Sequence, residues 1–254
     1  MTSVYFSMLM MFLAGFLTAV LLYPWIRPVY VSVKRNLKKA LIAKEVIRPG
    51  AKNRYEWVGD SAAAEIKKKF QIDFLKTYGL KPSHHLLDYG CGVLRGGVPI
   101  IEYLNSGGYT GLDIRPQVLE EARRELKESC LEAKQPRLVE SKNAAEELAG
   151  AQFDVIWIFN VFIHMDDEVF RRELGFIAKH LAAGGICYGT VHPGARSDSE
   201  WQGFPFVTRP LWFYEQEVHK AGLDLRLLGT LDRFGYGAQS GKRSDLVMLE
   251  IRRV

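Results

Sequence analysis

Apolar residues follow three different rhythms along this chain, and each rhythm implies a different kind of element. The first is a continuous run from Val4 to Trp25, 22 residues long, inside a stretch from Met1 to Ile26 that holds no charged side chain. At a rise of about 1.5 Å per residue this run makes roughly 33 Å of helix, enough to cross a hydrocarbon core. Tyr5 at one end and Tyr23 with Trp25 at the other are placed like interfacial aromatics. A cleaved signal peptide would show a positively charged start, a shorter apolar segment and a small-residue cleavage site, and a core helix would show a polar stripe. The run has none of these, so a single uncleaved N-terminal transmembrane helix is expected.

Beyond residue 60 the rhythm switches between helical spacing and short apolar strands. Ser61 can cap a helix over 62–78, with Ile66, Phe70, Phe74 and Leu75 near one face and Gly79, Pro82 and Ser83 behind it. A short strand over 85–88 follows, then a helix over 98–104, a strand over 109–113, an amphipathic helix over 116–130 and a weak strand over 137–140. A buried strand over 153–159, a helix over 167–181 and a strand over 185–191 come next, the last after the Gly184-Gly185 stop. The series closes with a helix over 211–221 and strands over 225–231 and 245–251. Strands alternating with such helices predict an α/β domain, a doubly wound and mostly parallel sheet covered on both faces. The link 232–244 holds Gly235, Gly237 and Gly241 and is too irregular for a crossover helix, so the last two strands are expected to form an antiparallel hairpin at the sheet edge.

Composition refines this picture. The chain has 254 residues, 48% of them hydrophobic, enough to bury one sizeable core. Its net charge of +5 would suggest an acidic partner, but nine Lys/Arg and the single acid Glu45 fall within 27–54. Removing these from totals of 34 and 29 leaves 25 basic and 28 acidic residues, so the body is mildly acidic and no nucleic-acid partner is expected. No Lys/Arg precedes the apolar run and many follow it, which by the positive-inside rule puts the body on the cytoplasmic side of a membrane. The stretch 31–47 reads equally as an amphipathic helix along anionic headgroups or as a solvated basic linker. Three units result: an anchor over 1–26 that meets the membrane through residues 4–25, a basic juxtamembrane segment over 27–59, and a catalytic body over 60–254. Cys91, Cys130 and Cys187 lack disulfide-framework or metal-ligand spacing, so a reducing compartment and no metal are expected.

The chemistry concentrates at strand ends. Asp88-Tyr-Gly90-Cys-Gly92-Val-Leu-Arg-Gly96-Gly97 follows the first strand of the body, where ligands sit in open α/β sheets. A dinucleotide fingerprint would need a glycine at Arg95, and a P-loop would need a Gly-Lys-Ser/Thr that is absent. What remains is a strand ending Asp-x-Gly-x-Gly, followed about twenty residues later by a second strand ending in an acid, Asp113. This resembles motif I and its follow-on acid in class I S-adenosylmethionine-dependent methyltransferases, over roughly residues 60–254. The resemblance implies a Rossmann-like fold and S-adenosyl-L-methionine as cofactor. It places Asp88 near the methionine end of that cofactor, Gly90, Cys91 and Gly92 beneath it, Asp113 on the ribose hydroxyls and Ile114 against the adenine. Asn143 and Ala144 match the loop beside the adenine, and Asn160 matches the floor of the active site. The family's third glycine is replaced by Leu94. Two notions follow from that replacement: Gly96-Gly97 supplies the close approach instead, and Arg95 either reaches the cofactor carboxylate or sits on a helix surface.

Asn160 is followed by Val161 and Phe162, so the Asn-Pro-Pro-aromatic signature of base-amino methyltransferases is missing. A hydroxyl acceptor would need a base, and His164 and His192 both follow strand ends on the site face. The functional expectation is methyl transfer to a small-molecule or membrane-associated acceptor: a lipid, quinone, isoprenoid or glycan. The rival from another class is a membrane-tethered interaction protein with a methyltransferase-like fold and no activity, and a nicotinamide oxidoreductase comes third.

Overall fold

Strands β1 (Leu86–Tyr89), β2 (Tyr109–Asp113), β3 (Arg137–Glu140) and β4 (Phe153–Ile158) form the parallel half of a seven-stranded sheet. The computed structural model describes residues 54–55, 64–201, 203–237 and 244–254. The expected anchor over 1–26 and most of the basic segment lie outside the described residues. Among the described residues, no helix is long and apolar enough to cross a membrane.

The sheet continues with β5 (Leu181–Val191), β8 (Leu223–Thr230) and β9 (Val247–Arg253), in the order β3-β2-β1-β4-β5-β9-β8. β9 runs antiparallel to both of its neighbours. The antiparallel pair therefore exists as expected, but only β8 is the edge, because β9 is inserted between it and β5.

Alternation along the strands divides the core. Leu87, Ile156, Cys187 and Leu249 face α4 (Asp167–His180) and α5 (Leu211–Lys220), which contribute Phe170, Leu174, Ile177, Phe213 and Val218. Leu86, Val155, Trp157 and Met248 face the opposite side. There they meet α1 (Ala64–Thr77), α2 (Gly97–Tyr103) and α3 (Pro116–Glu128) through Phe70, Phe74, Val98, Ile101 and Leu119. A strand with apolar side chains on both faces is what a sheet buried on both sides requires. Buried Gln71 in α1 is satisfied by the indole N–H of Trp157, which donates to its Oε1 at 2.9 Å. Asp166 caps α4 by accepting the Val169 N–H at 2.9 Å, and Asp167 and Glu168 follow in the first turn, where acids favour the helix dipole.

Two observations depart from the sequence reading. Arg54, counted among the basic flank, is buried and paired with Glu125 and Glu128 of α3, so it belongs to the body. Beyond β5 the chain forms a hairpin that the sequence reading did not include, β6 (Ser197–Trp201) and β7 (Phe204–Thr208), which makes a separate two-stranded sheet. Its signal was present as a glycine, Gly203, between segments that hold Trp201, Phe204 and Phe206. Pro205 inside β7 argues against a central strand but is compatible with a two-stranded ribbon.

Candidate active site

The turn after β1 is pinned to the end of β2. The N–H groups of Gly90 and Cys91 both donate to the Leu112 carbonyl, at 2.7 and 3.0 Å, and the Gly92 N–H donates to Asp113 Oδ2 at 3.1 Å. Gly90, Gly92 and Leu94 all take positive φ, of 80°, 58° and 61°. The position of the family's third glycine thus keeps the left-handed backbone although its residue is leucine. The Leu94 side chain is fully buried and lies 2.7 Å from where a Cβ on Gly97 would be. Left-handed backbone costs a non-glycine residue about 1–2 kcal/mol, whereas truncating a buried leucine costs about 2–5 kcal/mol. Leu94→Gly is therefore expected to lower the unfolding free energy by about 2 kcal/mol in denaturant titrations, and a more stable variant would overturn this account.

Gly96 and Gly97 make close approaches within the protein. A Cβ on Gly96 would lie 2.3 Å from Gln71 Oε1, and one on Gly97 would lie 2.6 Å from the Tyr109 hydroxyl. These two glycines seat α2 against α1 and β2, which corrects the notion that they replace the third glycine beneath a cofactor. Arg95 is buried, not a helix-surface cation, and its charge is felt by Tyr55 and Tyr236.

Asp88 is buried on the α1–α3 side, and its Oδ2 accepts the Tyr109 hydroxyl at 2.7 Å. Burial pushes its carboxyl up to about 7; the Tyr109 bond opposes this rise and the nearby Asp113 charge adds to it. The folded chain thus holds this proton more tightly than the unfolded chain does. The contribution to stability is fully present below the ordinary value of 3.8 and is lost as pH rises toward 7. Asp88→Asn keeps a neutral polar group beside Tyr109, so urea midpoints measured from about pH 4 to pH 8 should fall less steeply in the variant. Equal slopes would refute the assignment.

Cys91 also points inward, with its Sγ 2.9 Å from where a Cβ on Gly111 would be, and burial raises its thiol well above the usual range. The groups at the carboxyl end of the sheet come from β2 and the following loops. Asp113 Oδ1 accepts both the Arg115 N–H, at 3.0 Å, and its Nε, at 3.3 Å. Next to it Ile114 is 57% exposed, one of the few large apolar side chains left open. Asn143 is exposed at the start of a single helical turn, Ala144–Glu147, in which Ala144 is buried.

At the end of β4, Asn160 also takes positive φ, 59°. Its N–H donates to Thr190 Oγ1 at 2.7 Å, and that hydroxyl donates back to Asn160 Oδ1 at 3.3 Å. A left-handed residue held from two sides at a strand end is the kind of over-determined geometry that clusters at active sites. Gly90 is small because Val161 needs the room: a Cβ there would lie 2.4 Å from Val161 Cγ2.

The two histidines meet at the hairpin. His164 Nδ1 lies 2.8 Å from the Pro205 carbonyl, and its ring stacks on Trp201 at 5.3 Å with Phe204 and Phe206 beside it. His192 Nδ1 lies 3.1 Å from Thr208 Oγ1, and its ring is 5.7 Å from Phe206. β7 therefore gathers both rings onto one wall. The tip of the hairpin reaches the end of β2 as well, since the Arg115 guanidinium sits 5.4 Å from the Phe204 ring. Burial holds the His164 pKa below its ordinary value of 6.5; the Pro205 bond opposes this, and the Arg115 charge reinforces it.

Residues 87–187 match the family model described as "Methyltransferase domain". This region is similar to that family. Solved structures similar to it include the glycopeptide N-methyltransferase MtfA complexed with S-adenosyl-L-methionine, 16% identical, covering 74% of this chain and 94% of that one at a TM-score of 0.57. Magnesium protoporphyrin IX methyltransferase from Synechocystis, with the same cofactor bound, is 16% identical over 86% of this chain and 91% of its own, with a TM-score of 0.57. An S-adenosylmethionine-dependent methyltransferase from Clostridium acetobutylicum is 11% identical over 79% and 95%, with a TM-score of 0.56. The family match and these cofactor-bound structures support an S-adenosylmethionine-dependent methyltransferase.

The residues present fit that cofactor. A carboxylate at the end of β2 suits ribose hydroxyls, and the exposed Ile114 beside it offers an apolar surface for a base. Among the described residues, no group of His, Cys, Asp and Glu could hold a metal ion.

Proposed function

We propose that this domain moves a methyl group from S-adenosylmethionine to an oxygen of a small or membrane-associated acceptor, with His164 as the base. When bound, the cofactor supplies an electrophilic methyl on a positively charged sulfonium. Asp113 and Ile114 would hold its nucleoside, with the backbone of Gly90 to Gly92 beside it. His164 takes the acceptor's hydroxyl proton as the oxygen–methyl bond forms and the sulfur–methyl bond breaks, the leaving group being a neutral thioether, and later releases the proton to solvent. His192, Trp201 and Phe206 line the acceptor side and keep water out.

The observation that carries this reading is the hairpin-built wall that brings His164 and His192 together beside the Asp113 end of the sheet. MtfA and the magnesium protoporphyrin IX enzyme are named for a glycopeptide and a porphyrin, which supports an acceptor of modest size. The apolar run over 4–25 supports a chain tethered to a membrane with residues 60–254 on the cytoplasmic side, which raises the effective concentration of a lipid, quinone, isoprenoid or membrane-bound glycan.

Full-length protein, membrane extract and methyl-labelled cofactor test this directly. Label should enter an alkali-stable membrane-extractable product, and the protein should stay in the membrane pellet after alkaline carbonate washing. Absence of label with cofactor binding intact would favour the inactive, tethered interaction protein.

A further inference from the structure

We propose that the β6–β7 hairpin is a positioning element for His164, fixing the tautomer with hydrogen on Nδ1 so that the Nε2 lone pair receives the acceptor's proton. This deepens the reading of His164 as the base. A carbonyl oxygen only accepts, so the 2.8 Å contact between His164 Nδ1 and the Pro205 oxygen requires a hydrogen on Nδ1. Pro205 has no backbone N–H that could reverse the polarity. The neutral ring then carries its lone pair on Nε2. Trp201 stacks on one face of the ring at an interplanar angle of 25°, and Phe204 and Phe206 lie at 6.2 and 6.0 Å, so rotation about the ring axis is blocked.

The hairpin can impose this because its base is clamped. The buried Arg209 guanidinium binds Asp167 and Asp198, each at 2.6 Å, and the carbonyls of Ser197 and Thr208 at 3.1 and 2.9 Å. Arg196 pairs with Asp167 as well, at 2.6 Å. Asp167 opens α4, which begins three residues after His164. Both partners of the His164–Pro205 bond thus hang from one helix terminus, and the distance between them is set by a short, hydrogen-bonded frame. His192 differs, because its partner is the Thr208 hydroxyl, which can donate or accept and so leaves either tautomer open.

The full-length chain labelled with ¹⁵N-histidine tests this, with six histidines to resolve. Two-bond proton–nitrogen correlation spectra near neutral pH, with His164 assigned by its disappearance in His164→Gln, should show a protonated Nδ1 and an unprotonated Nε2. Trp201→Ala and Arg209→Lys should each give an averaged tautomer signal. Each should also lower methyl transfer into membrane extract by about tenfold or more, with calorimetric affinity for S-adenosylmethionine unchanged. A protonated Nε2 in the wild type, or an unaltered tautomer in both variants, overturns the proposal. If the tautomer behaves as described but His164→Gln still transfers methyl groups at the wild-type rate, the base assignment falls while the positioning by the hairpin stands.

Discussion

Asp113→Ala is expected to weaken S-adenosylmethionine binding by about a hundredfold or more in calorimetry, the largest single loss of affinity available in this site. The carboxylate ends β2 at the place where a ribose would present two hydroxyls, and hydrogen bonds to a charged group contribute about 1.5–3 kcal/mol each. Two of them amount to about 3 kcal/mol or more, and every 1.4 kcal/mol is tenfold. The substitution also strips Gly92 of the acceptor for its N–H and releases Arg115, so the turn beneath the cofactor loosens. Asp113→Asn retains an acceptor oxygen without the charge, and a loss of about tenfold is expected. Thermal shifts give an independent readout, because a ligand that binds only the folded state raises the midpoint. Cofactor should raise it in the wild type and leave Asp113→Ala unmoved. Equal affinity in wild type and Asp113→Ala would remove Asp113 from the site.

His164→Gln is expected to lower methyl transfer by about 10²–10⁴-fold, the usual contribution of a positioned general base. Glutamine can still donate to the Pro205 carbonyl, so the hairpin should stay in place and cofactor affinity should not change. The wild-type rate should fall as pH drops through the pKa of His164, which burial holds below 6.5. Only the neutral ring can accept the proton, so the rate is lost on the acid side and keeps its plateau above. The variant should lack this inflection. A variant within threefold of wild type, or a wild-type profile without an acid-side limb, would exclude His164 as the base.

The elements legible in the sequence were those whose apolar period was unbroken. β2 was expected over 109–113 and runs over Tyr109–Asp113, while α5 and α3 ended within two residues of expectation. β5 begins earlier than expected, at Leu181, because α4 stops at His180 and the chain enters the sheet at once; the β4 register shifts between Phe153 and Val155 to accommodate this. The hairpin went unread because its strands carry Ser, Asp and Glu on one side and a proline on the other, which resembles a polar loop when each residue is taken singly.

At the candidate site, spacing singled out Asp88, Gly90, Gly92 and Asp113, the family resemblance added Cys91, and position after strand ends added the two histidines. It could not say which way they face. Asp88 turns inward because even and odd positions of a parallel strand both meet core, and Cys91, in the turn after β1, packs its Sγ toward Gly111. Asp113 stands at the strand end, where the register with β3 runs out at Glu140.

The sequence by itself determined the alternation of strands and helices, the glycine turn after β1, the acid at the end of β2 and the uncharged run over 4–25. All of these are local patterns, written within one element or two adjoining ones. Only the tertiary structure decided that Leu94 takes a glycine's backbone, that Gly96 and Gly97 serve packing, and that His164 meets Pro205 and His192 meets Thr208. Those outcomes depend on contacts between residues far apart in the chain. The free energy that sets them comes from close packing and from satisfying buried polar groups, and no local period records it.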